Sequence, residues 1–500
     1  MDLLANLAGG FDTALTATNV SMCLVGVLVG TLIGVLPGLG PAATLAMLLP
    51  ITFHLEPVTA MIMLAGIYYG AQYGGSITAI LVNLPGESSS VVTCLDGHQM
   101  ARKGRAGAAL AIAAIGSFVA GTFATLLIAV SSEPLAVLAL RFGAPEYFSL
   151  MVFGLVGAIV LAQGSIFKAG AMILLGLLLG LVGIDVTSGA SRYTFGQPAL
   201  LEGLNLVPIA MGLFGLSEII ANLGRSDQHT GSAARVGSLM PTRREFGRSV
   251  RPIVRGTLTG SLLGVLPGGG AMLSSFAAYA LEKKISKTPQ EFGTGAIEGV
   301  AAPEAANNAG AQVSFIPMLT LGIPSNPVMA LMIGALLIHG IVPGPRILTD
   351  QPDLVWGLIA SMWIGNLMLL VINLPLVGLW VGLLRIPYRF MFPAILLLCS
   401  VGAYSLNNSV FDVGAMAFFG LVGSLLLRLG FEPAPLLLGF ILGPLMEENL
   451  RRSLALSRGD PLIFVQHPIS LGLLLLSIVL LVLVLLPSVR RNREEAFREP

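Results

Sequence analysis

Two stretches of this 500-residue sequence set carboxylates, amides and hydroxyls among prolines, glycines and apolar residues. The first, YYGAQYGGSITAILVNLPGESSS (68–90), carries Asn83, Pro85, Gly86, Glu87 and the serines Ser88, Ser89 and Ser90. The second, EGVAAPEAANNAGAQVSFIPMLTLGIPSN (298–326), carries Glu304, Asn307, Asn308, Pro324, Ser325 and Asn326. Glu304 shares one helical face with Asn307 and Asn308, three and four residues on. A carboxylate inside a membrane is costly and marks an ion or proton path, whereas amides and hydroxyls also serve as hydrogen bonds between helices. Asn83, Glu304, Asn307 and Asn308 are therefore candidate ion ligands, with Asn83 and Asn308 offering amide oxygens to a Na⁺ ion. Protonation of Glu304 is the rival, and the residues do not choose between them. The serines stay open between binding and packing.

A second pair of motifs is duplicated: GTLIGVLPGLG (30–40) and GSLLGVLPGGG (260–270). Leu-Pro-Gly breaks a helix, because proline lacks a backbone donor and clashes with the preceding turn, while glycine permits left-handed geometry. Broken backbone at membrane depth is tolerated only under protein cover or beside a watery cavity, and there half-helix N-termini suit carboxylates and freed carbonyls suit a cation. Pro37, Gly38, Gly40, Pro267, Gly268, Gly269 and Gly270 are thus candidate substrate contacts, together with Pro85, Gly86, Ser88, Ser89, Pro324, Ser325 and Asn326. Gly30 with Gly34, and Gly260 with Gly264, are read instead as small residues for close helix packing. No Gly-Lys dipeptide exists, so a Walker-type nucleotide loop is excluded.

The elements that must hold these residues are membrane helices. A hydrophobic share of 55% with 11% charged residues, and a mean hydropathy of +0.87, exceed what a soluble domain tolerates. Apolar runs recur from 18–36 to 462–487, giving an expectation of roughly ten to twelve crossings of an all-α polytopic membrane protein. The first segment lacks the basic start and cleavage pattern of a secretory signal and is expected to stay. A net charge of +1 argues against a nucleic-acid partner. Cys23, Cys94 and Cys399 show no disulfide or zinc spacing, and the five histidines show no paired ligand spacing. No cofactor is expected beyond a coupling ion.

The polar stretch around 224–255 divides the chain. It is expected to be a cytoplasmic linker between a first half, 1–223, and a second, 256–446, followed by a C-terminal helix and charged tail, 447–500. Matched loops carry opposite charge: ITFHLEP (51–57) lacks Lys and Arg where LEKKISK (281–287) has three, and ARKGR (101–105) is basic where HGIVPGPRILTDQPD (339–353) is nearly neutral. Cytoplasmic loops concentrate Lys and Arg, so the swap predicts two inverted-topology repeats. Basic flanks on both sides of 256–282 predict that each Leu-Pro-Gly motif lies in a re-entrant hairpin. RRSLALSR (451–458) and RRNREEAFR (490–498) are both basic although one span separates them, so the C-terminal helix cannot be oriented.

Six stretches carry a family resemblance: GVLPGLGPAATLAMLLP, YYGAQYGGSITAILVNLPGE, LDGHQMARKGRAGAAL, GVLPGGGAMLSSFAAYALEKKISK, EGVAAPEAANNA and LTLGIPSNPVMALMIGAL. Over about 18–446 the chain resembles the large membrane subunit of bacterial tripartite tricarboxylate transporters. The resemblance implies a multi-pass inner-membrane transporter working with a small membrane subunit and a periplasmic solute-binding protein. It implies uptake of citrate-like or related carboxylates, driven by an ion gradient, commonly Na⁺, with alternating access. Its clips would be 36–41 with 83–90, and 266–271 with 304–308 and 322–326. The rivals are a proton-coupled carrier, an intramembrane enzyme using Glu304 or the serines, for which no base stands at suitable spacing, and a passive channel.

Overall fold

The structure, a computed structural model, describes residues 3–36, 40–162, 165–185, 187–223, 236, 238–266, 270–344, 346–383 and 388–485. Helices dominate. α1 (Leu3–Ala14) leads to α2 (Ala17–Val35), which starts where the Thr16 hydroxyl accepts the Asn19 N–H as an N-cap. α2 stops at the first Leu-Pro-Gly, and α3 (Pro41–Thr52) resumes with proline at its first position, where no donor is lost. α4 (Pro57–Val82) follows, then short turns from Ser88 to Arg102, α5 (Ala106–Ala139), α6 (Ala144–Leu161) and α7 (Ile166–Gly180). After a small hairpin pairing Gly183–Ile184 with Ser191–Arg192, α8 (Leu206–Ala210) runs through a π-helical turn (Met211–Leu216) into α9 (Ser217–Leu223).

α10 (Arg243–Leu263) stops at the second Leu-Pro-Gly, α11 (Gly270–Ile285) returns, and α12 (Glu298–Val313) and α13 (Phe315–Leu321) advance again. α14 (Pro327–Ile338), α15 (Pro352–Asn373), α16 (Val377–Leu383), α17 (Tyr388–Asn407), α18 (Val410–Arg428), α19 (Pro433–Leu456) and α20 (Pro468–Leu485) complete the described chain.

Glycines set the closest approaches. Gly26, Gly30 and Gly34 of α2 lie on the backbone of Met63, Ile67 and Ala71 of α4, while Gly256, Gly260 and Gly264 of α10 lie on Ala302, Ala306 and Gly310 of α12. Both series ascend together, so each pair is parallel. A Cβ on Gly30 would stand 2.8 Å from Ile67 Cα, and one on Gly260 2.8 Å from Ala306 Cα, where nothing can yield. The packing role read for these glycines holds. Because each pair is parallel, the chain between its members, which includes α3 in one case and α11 in the other, must run back.

The halves meet head to tail. Along α4, Tyr68 lies beside Phe315, Ser76 bonds Glu304, and Ile80 meets Val300 across Gly97, so the partner's number falls as α4 advances. α4 and α12 are antiparallel. α5 runs parallel to α12, with Ser117 on Asn308 and Thr125 on Gln312.

One end of the molecule gathers charge. The Lys103 ammonium donates to the Thr294 carbonyl at 2.5 Å, Arg105 pairs with Glu245, and Arg248 bridges Glu291 and Glu298 at 2.6 Å each. These loops come from both halves and from the segment between them. Two further parallel pairs flank the centre: Gly176 and Gly180 of α7 against Leu436 and Phe440 of α19, and Gly212 of the π turn against Met416 and Gly420 of α18.

Four helices are individually long and apolar enough to cross a bilayer: Ala17–Val35, Ala106–Leu135, Pro352–Asn373 and Val410–Arg428. Seven more apolar helices are shorter, 10–17 residues. Full-length crossings are therefore fewer among the described residues than the ten to twelve expected, because Pro and Gly interrupt several apolar runs.

Candidate functional site

α4 ends at Asn83, which takes a left-handed φ of 58°, and α13 ends at Gly322, φ 70°. Asparagine and glycine are the residues that tolerate this cap. Both breaks are followed two residues later by proline, Pro85 and Pro324. The chain then turns toward the centre, with Gly86 so close to Gly34 and Gly75 that a Cβ would overlap their backbone.

The two breaks bring two carboxylates together. Glu304 is 1% exposed and accepts from the hydroxyls of Ser76 and Thr93. Glu87, contributed by the other half, accepts the Asn307 amide at 3.1 Å and faces the Ser89 hydroxyl. Ser89 Oγ also lies 3.1 Å from Gln72 Oε1, so its single proton faces two acceptors. Ser76 Oγ stands likewise between Glu304 and the Gln72 carbonyl. A hydroxyl so placed donates to the carboxylate when that is ionised and to the other acceptor when it is protonated, and both states are satisfied.

The amide oxygens are the exception. Asn308 donates to Ser117 Oγ at 2.7 Å and to the Glu304 carbonyl, and Asn307 donates to Glu87, yet both Oδ1 atoms are buried without a partner. Each side chain is 0% exposed. Two unpaired acceptors beside two carboxylates leave the cluster short of positive charge or donors. Oxygens so arranged can ligate a small cation.

The second break adds a neighbouring group. Asn326 donates to Tyr68 O–H and to Ser314 Oγ at 3.3 Å each, and its own Oδ1 caps α14 by accepting the Met329 N–H. Gly270, at the start of α11, lies against Asn326. Ser88–Ser90 packs on α11. Gly270, from 266–271, and Asn326, from 322–326, are thus neighbours.

Other expected residues lie elsewhere. Asn83 is exposed and shapes the left-handed end of α4, whereas Asn308 is wholly buried. Pro85 and Ser88 are exposed; Pro324 and Ser325 are buried, Ser325 Oγ without a partner. The Gly40 N–H points to Glu218 at 3.4 Å rather than to 83–90. Pro37, Gly38, Pro267, Gly268 and Gly269 lie outside the described residues.

Several members escaped sequence reasoning. Ser76, Thr93, Ser117 and Gln72 are ordinary helix polar residues until the halves meet. Asp96 is the clearest: wholly buried, it accepts the N–H groups of Gly293, Gly295 and Ala296 at 2.7–2.9 Å and the Tyr279 hydroxyl at 3.0 Å. An aspartate of the first half thereby holds the loop that launches α12 of the second. The signal was its place in LDGHQ, one turn past Thr93.

A family profile described as "Tripartite tricarboxylate transporter TctA family" matches residues 20–438. A relative from Agrobacterium vitis, described as an uncharacterized 52.8 kDa protein in the TAR-I ttuC′ 3′ region, is 60% identical over 500 residues, covering 100% of this chain and 99% of its own. A second from the same organism, an uncharacterized protein in the TAR-II ttuC′ 3′ region, is 62% identical over 240 residues, 48% of this chain and 99% of its own. No solved structure matches. With one match spanning most of the sequence and another its whole length, the chain belongs to the TctA family of tripartite tricarboxylate transporters and is a multi-pass membrane protein.

Proposed function

We propose that the chain is the translocating subunit of an ion-coupled importer of tricarboxylates such as citrate, or of related carboxylates, in the bacterial inner membrane. Na⁺ is the coupling ion in this reading, held by Glu304, Glu87 and the free oxygens of Asn307 and Asn308. The carboxylate binds at the helix breaks, where Gly40, Gly86, Gly270, Ser89, Ser325 and Asn326 supply N–H, hydroxyl and amide groups. A small membrane subunit and a periplasmic binding protein that hands over the substrate complete the transporter.

The single observation that carries this reading is the pair of buried, unpartnered amide oxygens beside two carboxylates from different halves. Two further features support it. The parallel glycine pairs recur in each half and the halves run antiparallel through α4 and α12, which is what inverted-topology repeats would produce. Asp96 ties the first half to the loop that launches α12 of the second, so the two would move as one body against the flanking helices in an elevator-like alternation.

Proteoliposomes holding this chain, its small subunit and its binding protein should accumulate labelled citrate or a related acid under an inward Na⁺ gradient. Uptake indifferent to both Na⁺ and pH gradients would defeat the coupling. Protons are the second reading, favoured by the hydroxyls of Ser76 and Ser89 that satisfy either charge state of the carboxylates; a pH gradient alone would then suffice.

A further inference from the structure

A small pocket of about 20 Å³, room for about one water, also reaches Glu304. Its polar lining is Tyr73, Ser76, Ser117, Glu304 and Asn373. Two of these carry atoms with nothing to bond. Tyr73 and Asn373 are each 4% exposed, and Tyr73 O–H and Asn373 Oδ1 have no partner. Asn373 commits its amide nitrogen to the Leu369 carbonyl at 2.9 Å, which leaves its oxygen as a bare acceptor. Buried polar groups without partners in membrane surroundings are costly, and a polar pocket with room for one water or a bare ion resolves that cost by holding it.

The chemistry of the lining selects the occupant. A carboxylate, an amide oxygen and hydroxyl oxygens face inward, and no Lys or Arg lines the space. An anion entering would meet the Glu304 carboxylate with no cationic side chain among the lining residues to offset it; a monovalent cation shedding its water would meet oxygen ligands ending at Glu304. The remaining wall is apolar, and its partly exposed members are Leu374 at the end of α15 and Leu239 from the segment joining the halves. Those two leucines stand at the mouth.

We infer that this pocket is the route by which the coupling cation reaches Glu304, separate from the route of the carboxylate, with Tyr73 and Asn373 as its stepping oxygens and Leu239 at its entrance. The inference rests on the proposed ion-coupled uptake and deepens it by giving the two cargoes different doors.

The test uses the full transporter in proteoliposomes, with labelled carboxylate uptake titrated against Na⁺ and, separately, against pH. Tyr73→Phe and Asn373→Leu should each raise the cation concentration for half-maximal uptake by about tenfold, the low end for losing an outer ligand of an ion site. KM for the carboxylate at saturating cation should not change. A cation half-saturation equal to the parent's in both variants, or a carboxylate KM that rises in step, overturns the inference. Leu239→Cys provides a readout on protein already folded: a bulky methanethiosulfonate should slow uptake only at limiting cation, and reductant should restore it, with the parent as control for Cys23, Cys94 and Cys399. Complete labelling with unchanged uptake also overturns it. Failure of the underlying reading looks different, since the unmodified transporter would itself ignore Na⁺ and pH.

Discussion

Replacing Gly30 with alanine tests whether the duplicated glycines are packing residues. The added Cβ would stand 2.8 Å from Ile67 Cα and would overlap the Ile67 carbonyl oxygen. Carbons in contact prefer about 3.5–4.0 Å, so α2 and α4 must separate by roughly 1 Å, and no flexible side chain is there to move instead. Overpacking of this kind costs about 1–3 kcal/mol, and backbone against backbone belongs at the upper end. Alanine returns up to about 1 kcal/mol of helix propensity, leaving a net loss of roughly 2 kcal/mol. Gly9 of α1, with nothing within 4 Å of its missing Cβ, is the internal control. Gly9→Ala should stabilise by about 0.5–1 kcal/mol, so the two substitutions have opposite signs. Unfolding of the purified protein in mixed micelles, followed by tryptophan fluorescence, reads both. Gly30→Ala as stable as Gly9→Ala would refute the close-packed pair; Gly260→Ala, facing Ala306 in the same way, should repeat the loss.

Asp96→Ala strands three loop N–H groups, at about 1–3 kcal/mol for each group left unsatisfied, so the folded fraction in detergent should drop sharply. Asp96→Asn keeps an acceptor oxygen and should lose much less; equal losses would show that the bonds are not what matters. Glu304→Gln and Glu87→Gln should each abolish Na⁺-driven uptake while leaving a monodisperse protein, and uptake that persists in either removes that carboxylate from the coupling site. The backbone N–H groups of Ser188 and Thr187, with Arg451 beside them, hold the Asp185 carboxyl well below the usual carboxylate range. A depressed pKa gives stability that is present above the ordinary value of about 3.9 and fades as pH falls below it. Protection of the 183–192 amides, after division by the intrinsic exchange rate at each pH, should therefore be flat from neutral pH to about 4 and fall beneath it, and Asp185→Asn should abolish that fall.

What the sequence made legible was what repeats. The Leu-Pro-Gly breaks, the small-residue spacing and the amide-rich stretches recur in order, and each reports a backbone requirement that only a few residue types meet. The partners of Glu304 were hidden for a physical reason: Ser76 lies 228 residues away and Thr93 211, and hydroxyls carry no spacing signal of their own. The left-handed turn at Asn83 was not legible as such, because asparagine serves equally as a ligand and as a left-handed cap. RRSLALSR resisted orientation because part of its charge is already spoken for: Arg451 pairs with Asp185 at 2.8 Å and with Glu447 at 2.6 Å, so it does not count as a free loop cation.

The register of the glycine pairs carries one more consequence. Extended along the same alignment that sets Ile67 against Ala306 and Ala71 against Gly310, Tyr68 and Tyr69 correspond to Asn307 and Asn308, and Tyr73 to Gln312. Bulky phenols thus occupy in one copy the positions where the other keeps slim carboxamides.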